Sequence, residues 1–150
     1  MSKTKRFLRE EENFKLEFGT RNNNWQSVEL TEALKAALED GDVEITDGMY
    51  LAEDDNTGKF EMAGEGDFPA YPILEEKKQY DNIAAGMFTV SVGSVPAFTK
   101  VFEGDPEKGD YLQVVDTDDG NALGVTEERD DAVARCLANY GGYIKITKLI

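Results

Sequence analysis

Apolar residues recur at helical spacing in one clear stretch of the chain. They stand three or four positions apart there, which is the period of an amphipathic helix. Thr31 can cap the start of this helix, and Gly41 follows its last apolar residue as a stop. The sequence therefore predicts a short helix over 31–40 that packs its apolar stripe on a sheet. The apolar positions are Leu30, Ala33, Leu34, Ala37 and Leu38.

From residue 43 onward the pattern changes to short runs in which apolar and polar residues alternate. Turn residues separate these runs about every 8–12 positions, which is typical of all-β domains. The clearest run is 87–92, and 68–74 is at best an edge strand because it holds two prolines. Further strands are predicted at 43–45, 49–52, 59–63, 97–102, 111–115, 122–126 and 143–150.

Residues 130–140 are interpreted as a second short helix, which Asp130 caps and Gly141 ends. Cys136 would lie inside this helix as a small core residue. These elements predict a mainly β fold, either a β-barrel or a sandwich with two short helices. Residues 29–150 form the single domain of this interpretation.

The first 28 residues show neither a helix cap nor a long periodic run. They are interpreted as an extended N-terminal arm whose apolar side chains need a surface, either on the chain's own body or on another subunit. These side chains are the candidate partner-binding residues, and they are Phe7, Leu8, Phe14, Leu16, Phe18 and Trp25.

Charge divides the chain at the same place. Residues 1–28 hold six Lys/Arg and four Asp/Glu, so their net charge is +2, and the remaining 122 residues hold ten and 27, which gives −17. The net charge of −15 argues against direct binding of nucleic acid, because phosphate contacts need clustered Lys and Arg. No apolar stretch approaches the roughly 20 residues that span a membrane, so no membrane contact is expected.

Residue types limit the chemistry further. The chain has no histidine, which is the commonest general base and metal ligand, and its single cysteine excludes an intramolecular disulfide. The acidic stretch 116–127 invites comparison with a calcium loop, but Gly120 and Asn121 stand at the wrong positions for an EF-hand. A hairpin turn is the preferred interpretation there. We expect no enzyme activity, no cofactor and no metal.

Short motifs follow one another in a recognisable order in the second half of the chain. The run Ile83-Ala84-Ala85-Gly86 leads into the strand at 87–92, and Gly109-Asp110 opens a strand through Tyr111-Leu112. Leu123-Gly124-Val125-Thr126 then follows the acidic turn. This order resembles that of capsid decoration (cement) proteins of tailed bacteriophages, and the resemblance covers about residues 83–150.

This resemblance implies a structural virion protein that binds the outer surface of a phage capsid and stabilises it. Its partners would be the major capsid protein and copies of itself, in a trimer, reached through the N-terminal arm. Such a protein is made in the host cytoplasm and ends in the virion. Two alternatives remain open, a tail-tube or head–tail connector subunit, and a carboxylate- or cation-dependent hydrolase.

Overall fold

The computed structural model describes residues 8–17, 25–74, 86–94 and 96–149. In this part of the chain, eleven strands accompany one α-helix, α1 (Glu32–Glu39), and a 3-10 turn at Arg129–Asp131. The strands are β1 (Phe14–Leu16), β2 (Trp25–Glu29), β3 (Tyr50–Glu53), β4 (Phe60–Met62), β5 (Tyr71–Leu74), β6 (Met87–Ser91), β7 (Ala97–Thr99), β8 (Tyr111–Thr117), β9 (Gly120–Thr126), β10 (Ala134–Asn139) and β11 (Ile144–Lys148).

The strands form two antiparallel sheets. The six-stranded sheet has the order β1-β7-β11-β10-β8-β9, and the five-stranded sheet has the order β2-β6-β5-β3-β4. Single parallel bridges join Leu30, directly after β2, to Phe60 of β4, and Phe102, shortly after β7, to Leu123 of β9. One bridge does not make a continuous ladder, so neither sheet closes into a barrel within the described residues. The mainly β, sandwich-like form of the prediction is confirmed.

Two apolar clusters lie on opposite sides of the five-stranded sheet, because successive side chains of a strand point to opposite faces. Tyr50 and Ala52 of β3 face the six-stranded sheet, where they join residues such as Leu112 and Ile146. Leu51, between them in sequence, packs on the other side with the residues of α1. The five-stranded sheet is therefore covered on both faces.

Helix α1 forms where its pattern predicts it. The hydroxyl of Thr31 accepts a hydrogen bond from the Leu34 N–H at 3.2 Å, which satisfies one of the free donors of the first turn. Leu34 and Leu38 are buried against the five-stranded sheet. The predicted N-cap is confirmed. Of the predicted apolar stripe, Leu30, Leu34 and Leu38 are buried, whereas Ala37 is half-buried and Ala33 is exposed.

The predicted second helix over 130–140 is wrong. A 3-10 turn at Arg129–Asp131 is followed by strand β10, which pairs with β11 and β8. Ala134 and Cys136 are buried while Arg135 between them is exposed, which is the period of a strand. Alanine, cysteine and leucine suit either element locally, and pairing with two neighbouring strands decides between them.

The described parts of the predicted arm belong to the sheets of the body. Strand β1 pairs with β7, with Phe14 opposite Thr99, and β2 pairs with β6, with Trp25 opposite Ser91. Strand β2 also crosses the predicted boundary between residues 28 and 29. Of the two surfaces left open for the arm, these strands use the chain's own body.

Candidate functional site

An open groove lies where three separate segments meet. Its walls are the loop 41–49, the segment 100–103 that follows β7, and the hairpin between β8 and β9. The groove has a volume of about 850 Å³. We call it the acidic groove; its lining residues are Gly41, Asp42, Val43, Glu44, Thr46, Met49, Lys100, Val101, Phe102, Glu103, Thr117, Asp118, Asp119, Gly120, Asn121 and Ala122.

Carboxylates dominate the rim of the acidic groove. Five acidic residues line it, and each of them is exposed to solvent: Asp42, Glu44, Glu103, Asp118 and Asp119. Lys100 is the single cation of the lining. Its amine donates hydrogen bonds to the carbonyl oxygens of Arg9 at 2.9 Å and Glu10 at 2.5 Å. The rim therefore presents a negative field to anything that enters.

The floor of the acidic groove is apolar and closely packed. Met49 and Ala122 are buried, and Val101 and Phe102 are half-buried. Val101 packs against the cluster that contains Met49. Gly120 has a φ of +146°, and a side chain on it would meet the Met49 sulfur at 3.2 Å and the Met62 methyl carbon at 3.3 Å. The glycine lets the hairpin approach the five-stranded sheet closely.

Asn121 fixes the hairpin wall of the groove to the five-stranded sheet. Its amide oxygen accepts from the Tyr50 N–H at 2.8 Å, and its amide nitrogen donates to the carbonyls of Tyr50 and Ala63, both at 2.9 Å. The residue is only 1% exposed. Three buried hydrogen bonds from one side chain hold the two sheets in register at this point, so the groove is preformed.

The acidic turn beside the groove is the hairpin turn that the sequence predicts. Strands β8 and β9 pair along their whole length, from Tyr111 opposite Thr126 to Thr117 opposite Gly120. Asp118 and Asp119 form the exposed two-residue connection. In the part of the chain that the structure describes, no three acidic or sulfur side chains stand close enough together to hold a metal ion.

A group of aromatic rings lies at the connection between β10 and β11, beside Phe98 of β7. Tyr140 is 44% exposed and stacks on Tyr143, with ring centroids 5.0 Å apart. Phe98 meets the edge of Tyr143 at 6.2 Å, and the amine of Lys145 lies 5.7 Å from the Phe98 ring. We call Phe98, Tyr140 and Tyr143 the aromatic patch. It offers one exposed ring, that of Tyr140, backed by two buried ones.

Three of the six predicted partner-binding residues are buried in the described part of the chain. Leu8 is fully buried with Phe98 and Tyr143, and Phe14 and Leu16 are buried in the core between the sheets. The backbone of Trp25 lies in β2. Phe7 and Phe18 lie outside the described residues. Leu8, Phe14 and Leu16 are therefore core residues of this chain, because they extend its own apolar clusters.

Two groups that could act as nucleophiles are held in the interior. The amine of Lys148 donates to the Ser91 hydroxyl at 2.7 Å, and burial lowers the pKa of this lysine to about 8. Burial also raises the pKa of the Cys136 thiol. Ser91 and Cys136 are fully buried, and Lys148 is 4% exposed. Their present surroundings suit packing and hydrogen bonding rather than attack on a substrate.

Sequence reasoning missed the residues that build the acidic groove. Asp42, Glu44 and Glu103 stand in polar stretches that look like ordinary solvated loops. Asn121 looks like one more turn residue. Its position directly after Gly120 is the one signal in the sequence that another segment packs closely against the start of this strand. Neither pattern indicates which distant loops meet.

No family model, no curated protein and no solved structure matches this chain. Among the described residues, the structure contains no helix with the length and apolar character needed to cross a membrane.

Proposed function

We propose that the protein is a structural component of a phage virion that binds the outer surface of the capsid and stabilises it. The observation that carries the proposal is the aromatic patch, in which the exposed Tyr140 stacks on the buried Tyr143 in the connection between β10 and β11. Tyrosine is enriched among the residues that dominate binding at protein interfaces, because it buries a large area at a small cost in side-chain entropy.

The construction of the patch supports a binding role. The Tyr140 ring stacks on Tyr143, and the Phe98 ring contacts both, with centroids 6.4 and 6.2 Å away. A ring held in this way loses little freedom when a partner covers it. The major capsid protein is the proposed partner, and the many copies on a shell add modest contacts into a strong total attachment.

The β-sandwich supports the same role. A cement protein needs a stable fold to hold capsid subunits together. Apolar clusters on both faces of the five-stranded sheet supply that stability. The strongly acidic body, at −17 over residues 29–150 from ten Lys/Arg and 27 Asp/Glu, would keep free copies apart in solution. Attachment would then depend on particular surfaces such as the aromatic patch.

The first experiment locates the protein. Antibodies raised against the recombinant chain are applied with gold labels to phage particles purified from the source of the sequence. Labels over the capsid are expected. Labels on the tail or at the neck would favour the tail-tube or connector alternative instead, and unlabelled particles would refute both virion roles.

A second experiment tests the patch itself. Tyr140→Ala should lower binding to the labelled particles at least tenfold in a sedimentation assay, while its melting temperature stays near that of the wild type. Val125→Ala is the matched control, because Val125 is 48% exposed on β9 of the same sheet. Equal binding of both variants would remove the aromatic patch from the proposal. The hydrolase alternative predicts instead that EDTA lowers the melting temperature.

A further inference from the structure

Two arginines converge on one tyrosine ring of the six-stranded sheet. The guanidinium carbon of Arg129 lies 5.7 Å from the centroid of the Tyr111 ring, and that of Arg135 lies 5.6 Å from it. Both arginines are exposed, and Tyr111 is half-buried. We call these three residues the arginine–tyrosine cluster. It gathers two positive charges around one ring, on a chain that holds 16 Lys/Arg and 31 Asp/Glu.

The backbone fixes the geometry of the arginine–tyrosine cluster. Tyr111 begins β8 and stands opposite Arg135 of β10 in the antiparallel register. Ala134, next to Arg135, is buried in the core between the sheets, so Arg135 and Tyr111 point to the other face. The Nε of Arg135 also donates to the Gly109 carbonyl at 3.3 Å. Arg129 stands in the 3-10 turn that leads into β10.

Neither guanidinium forms an ion pair within the described residues. Arg129 is unpaired although Glu128 and Asp130 flank it in the sequence. Contact with an aromatic ring uses the flat face of a guanidinium and leaves the N–H donors at its rim free for an acceptor. The cluster therefore presents two cations whose hydrogen-bonding capacity the described chain leaves largely unused.

A carboxylate is the acceptor that suits this arrangement best. The N–H donors of a guanidinium form a planar fork, which binds both oxygens of a carboxylate at once. A phosphate fits the same fork, but nucleic acid presents its phosphates in closely spaced rows. Four acids stand within two positions of Arg129 and would repel such a row more strongly than one short acidic side chain. They are Glu127, Glu128, Asp130 and Asp131.

We propose that the arginine–tyrosine cluster binds glutamate or aspartate side chains on the surface of a partner protein. Each guanidinium would hold one carboxylate, and the rest of the acidic body would repel a negative partner that docks elsewhere, so the cluster fixes the place of attachment. This inference rests on the proposed function, in which the partner is the capsid protein, and deepens it by naming the chemistry that this partner presents.

Nuclear magnetic resonance of the full-length protein tests the proposal at the atoms concerned. The probe is a four-residue peptide with two adjacent glutamates and blocked ends, added at about pH 6, where glutamate is ionised. The Nε–Hε signals of Arg129 and Arg135 should shift and saturate. Those of Arg6, Arg9 and Arg21 should move little. The same peptide with two glutamines should bind at least tenfold more weakly.

Matched variants separate the guanidinium forks from general charge. Binding of the glutamate peptide is followed through the backbone N–H of Tyr111. Arg129→Gln/Arg135→Gln should weaken it at least tenfold, and Arg129→Lys/Arg135→Lys at least threefold, because lysine keeps the charge but not the fork. Arg9→Gln/Lys15→Gln removes the same number of positive charges at exposed positions and should bind as the wild type does.

Four results would overturn the proposal. They are equal binding of the two peptides, unchanged binding in the double glutamine variant, tighter binding of inorganic phosphate than of the glutamate peptide, and arginine signals that shift with protein concentration alone, which would make a second copy the occupant. No particle is used, so a failure here leaves the labelling of virions as a separate result.

Discussion

Asn121 is the side chain on which the junction between the sheets depends most. In Asn121→Ala, the Tyr50 N–H loses its acceptor, and the carbonyls of Tyr50 and Ala63 each lose a donor. The Tyr50 carbonyl still accepts from the Ala63 N–H at 3.0 Å, so two buried groups are left without these partners. At about 1–3 kcal/mol for each, the variant should lose about 2–6 kcal/mol of unfolding free energy, and we expect a value near 3.

Urea denaturation followed by circular dichroism measures this loss. A decrease of about 3 kcal/mol corresponds to a fall in melting temperature of roughly 6–12 °C for a chain of this size. Asn56→Ala is the control, because Asn56 is an exposed residue of the turn before β4, and it should change the unfolding free energy by less than about 0.5 kcal/mol.

A second variant separates the lost hydrogen bonds from the lost volume. Asn121→Asp keeps the shape of the side chain but turns a charged oxygen toward two carbonyls. It should destabilise at least as much as alanine near neutral pH, and less in acid, where a protonated carboxyl can donate one hydrogen bond. A loss below about 1 kcal/mol in both variants would refute the argument that this residue fixes the junction.

Three further predictions address packing and buried charge. Leu16→Ala in β1 should cost about 2–4 kcal/mol, and Lys15→Ala on the exposed face of the same strand less than about 0.5, in urea denaturation. Gly48→Ala should lower the melting temperature more than Gly41→Ala, because both have positive φ but only the side chain at 48 would meet neighbours, the nearest at 3.0 Å. Burial lowers the pKa of Lys148 from 10.5 to about 8, so between pH 8 and 10.5 the unfolded chain binds one proton more than the folded chain. The unfolding free energy of the wild type should therefore rise with pH over this window relative to that of Lys148→Met. Parallel curves for the two proteins would contradict this reasoning.

Elements whose signals are local could be predicted from the sequence. Helix α1 has its cap, its stripe and its stop within about three turns, and the β8–β9 hairpin has two alternating runs beside a tight acidic turn. Such signals need no knowledge of the rest of the chain. Strand β6 follows the same rule: the alternating pattern predicts a strand over 87–92, and the structure has Met87–Ser91.

Elements that depend on distant partners could not be predicted. Phe14 pairs with Thr99 and Trp25 with Ser91, so strands of three and five residues are stabilised by segments far along the chain. The sequence of such a short run does not distinguish a strand that pairs within the domain from an extended arm that binds another subunit. In β10 the local signals favoured a helix, and pairing on both sides overrode them.

The candidate site follows the same division. The acids at 118 and 119 were recognised as a turn, and that turn is one wall of the groove. The segment 100–103 meets it through the bridge between Phe102 and Leu123, and the loop 41–49 meets it where Asn121 binds the backbone of Tyr50. Pairing of that kind is a property of the folded topology.

Cys136 gives the chain a chemical reporter of its own opening. It is the single cysteine, it is fully buried in β10, and that strand lies between β11 and β8 inside the six-stranded sheet. A thiol reagent can reach it only when the sheet opens, and burial that raises its pKa keeps the unopened form unreactive. When closing is faster than the reaction, the labelling rate reports the free energy of that opening under native conditions, without denaturant and without an added probe.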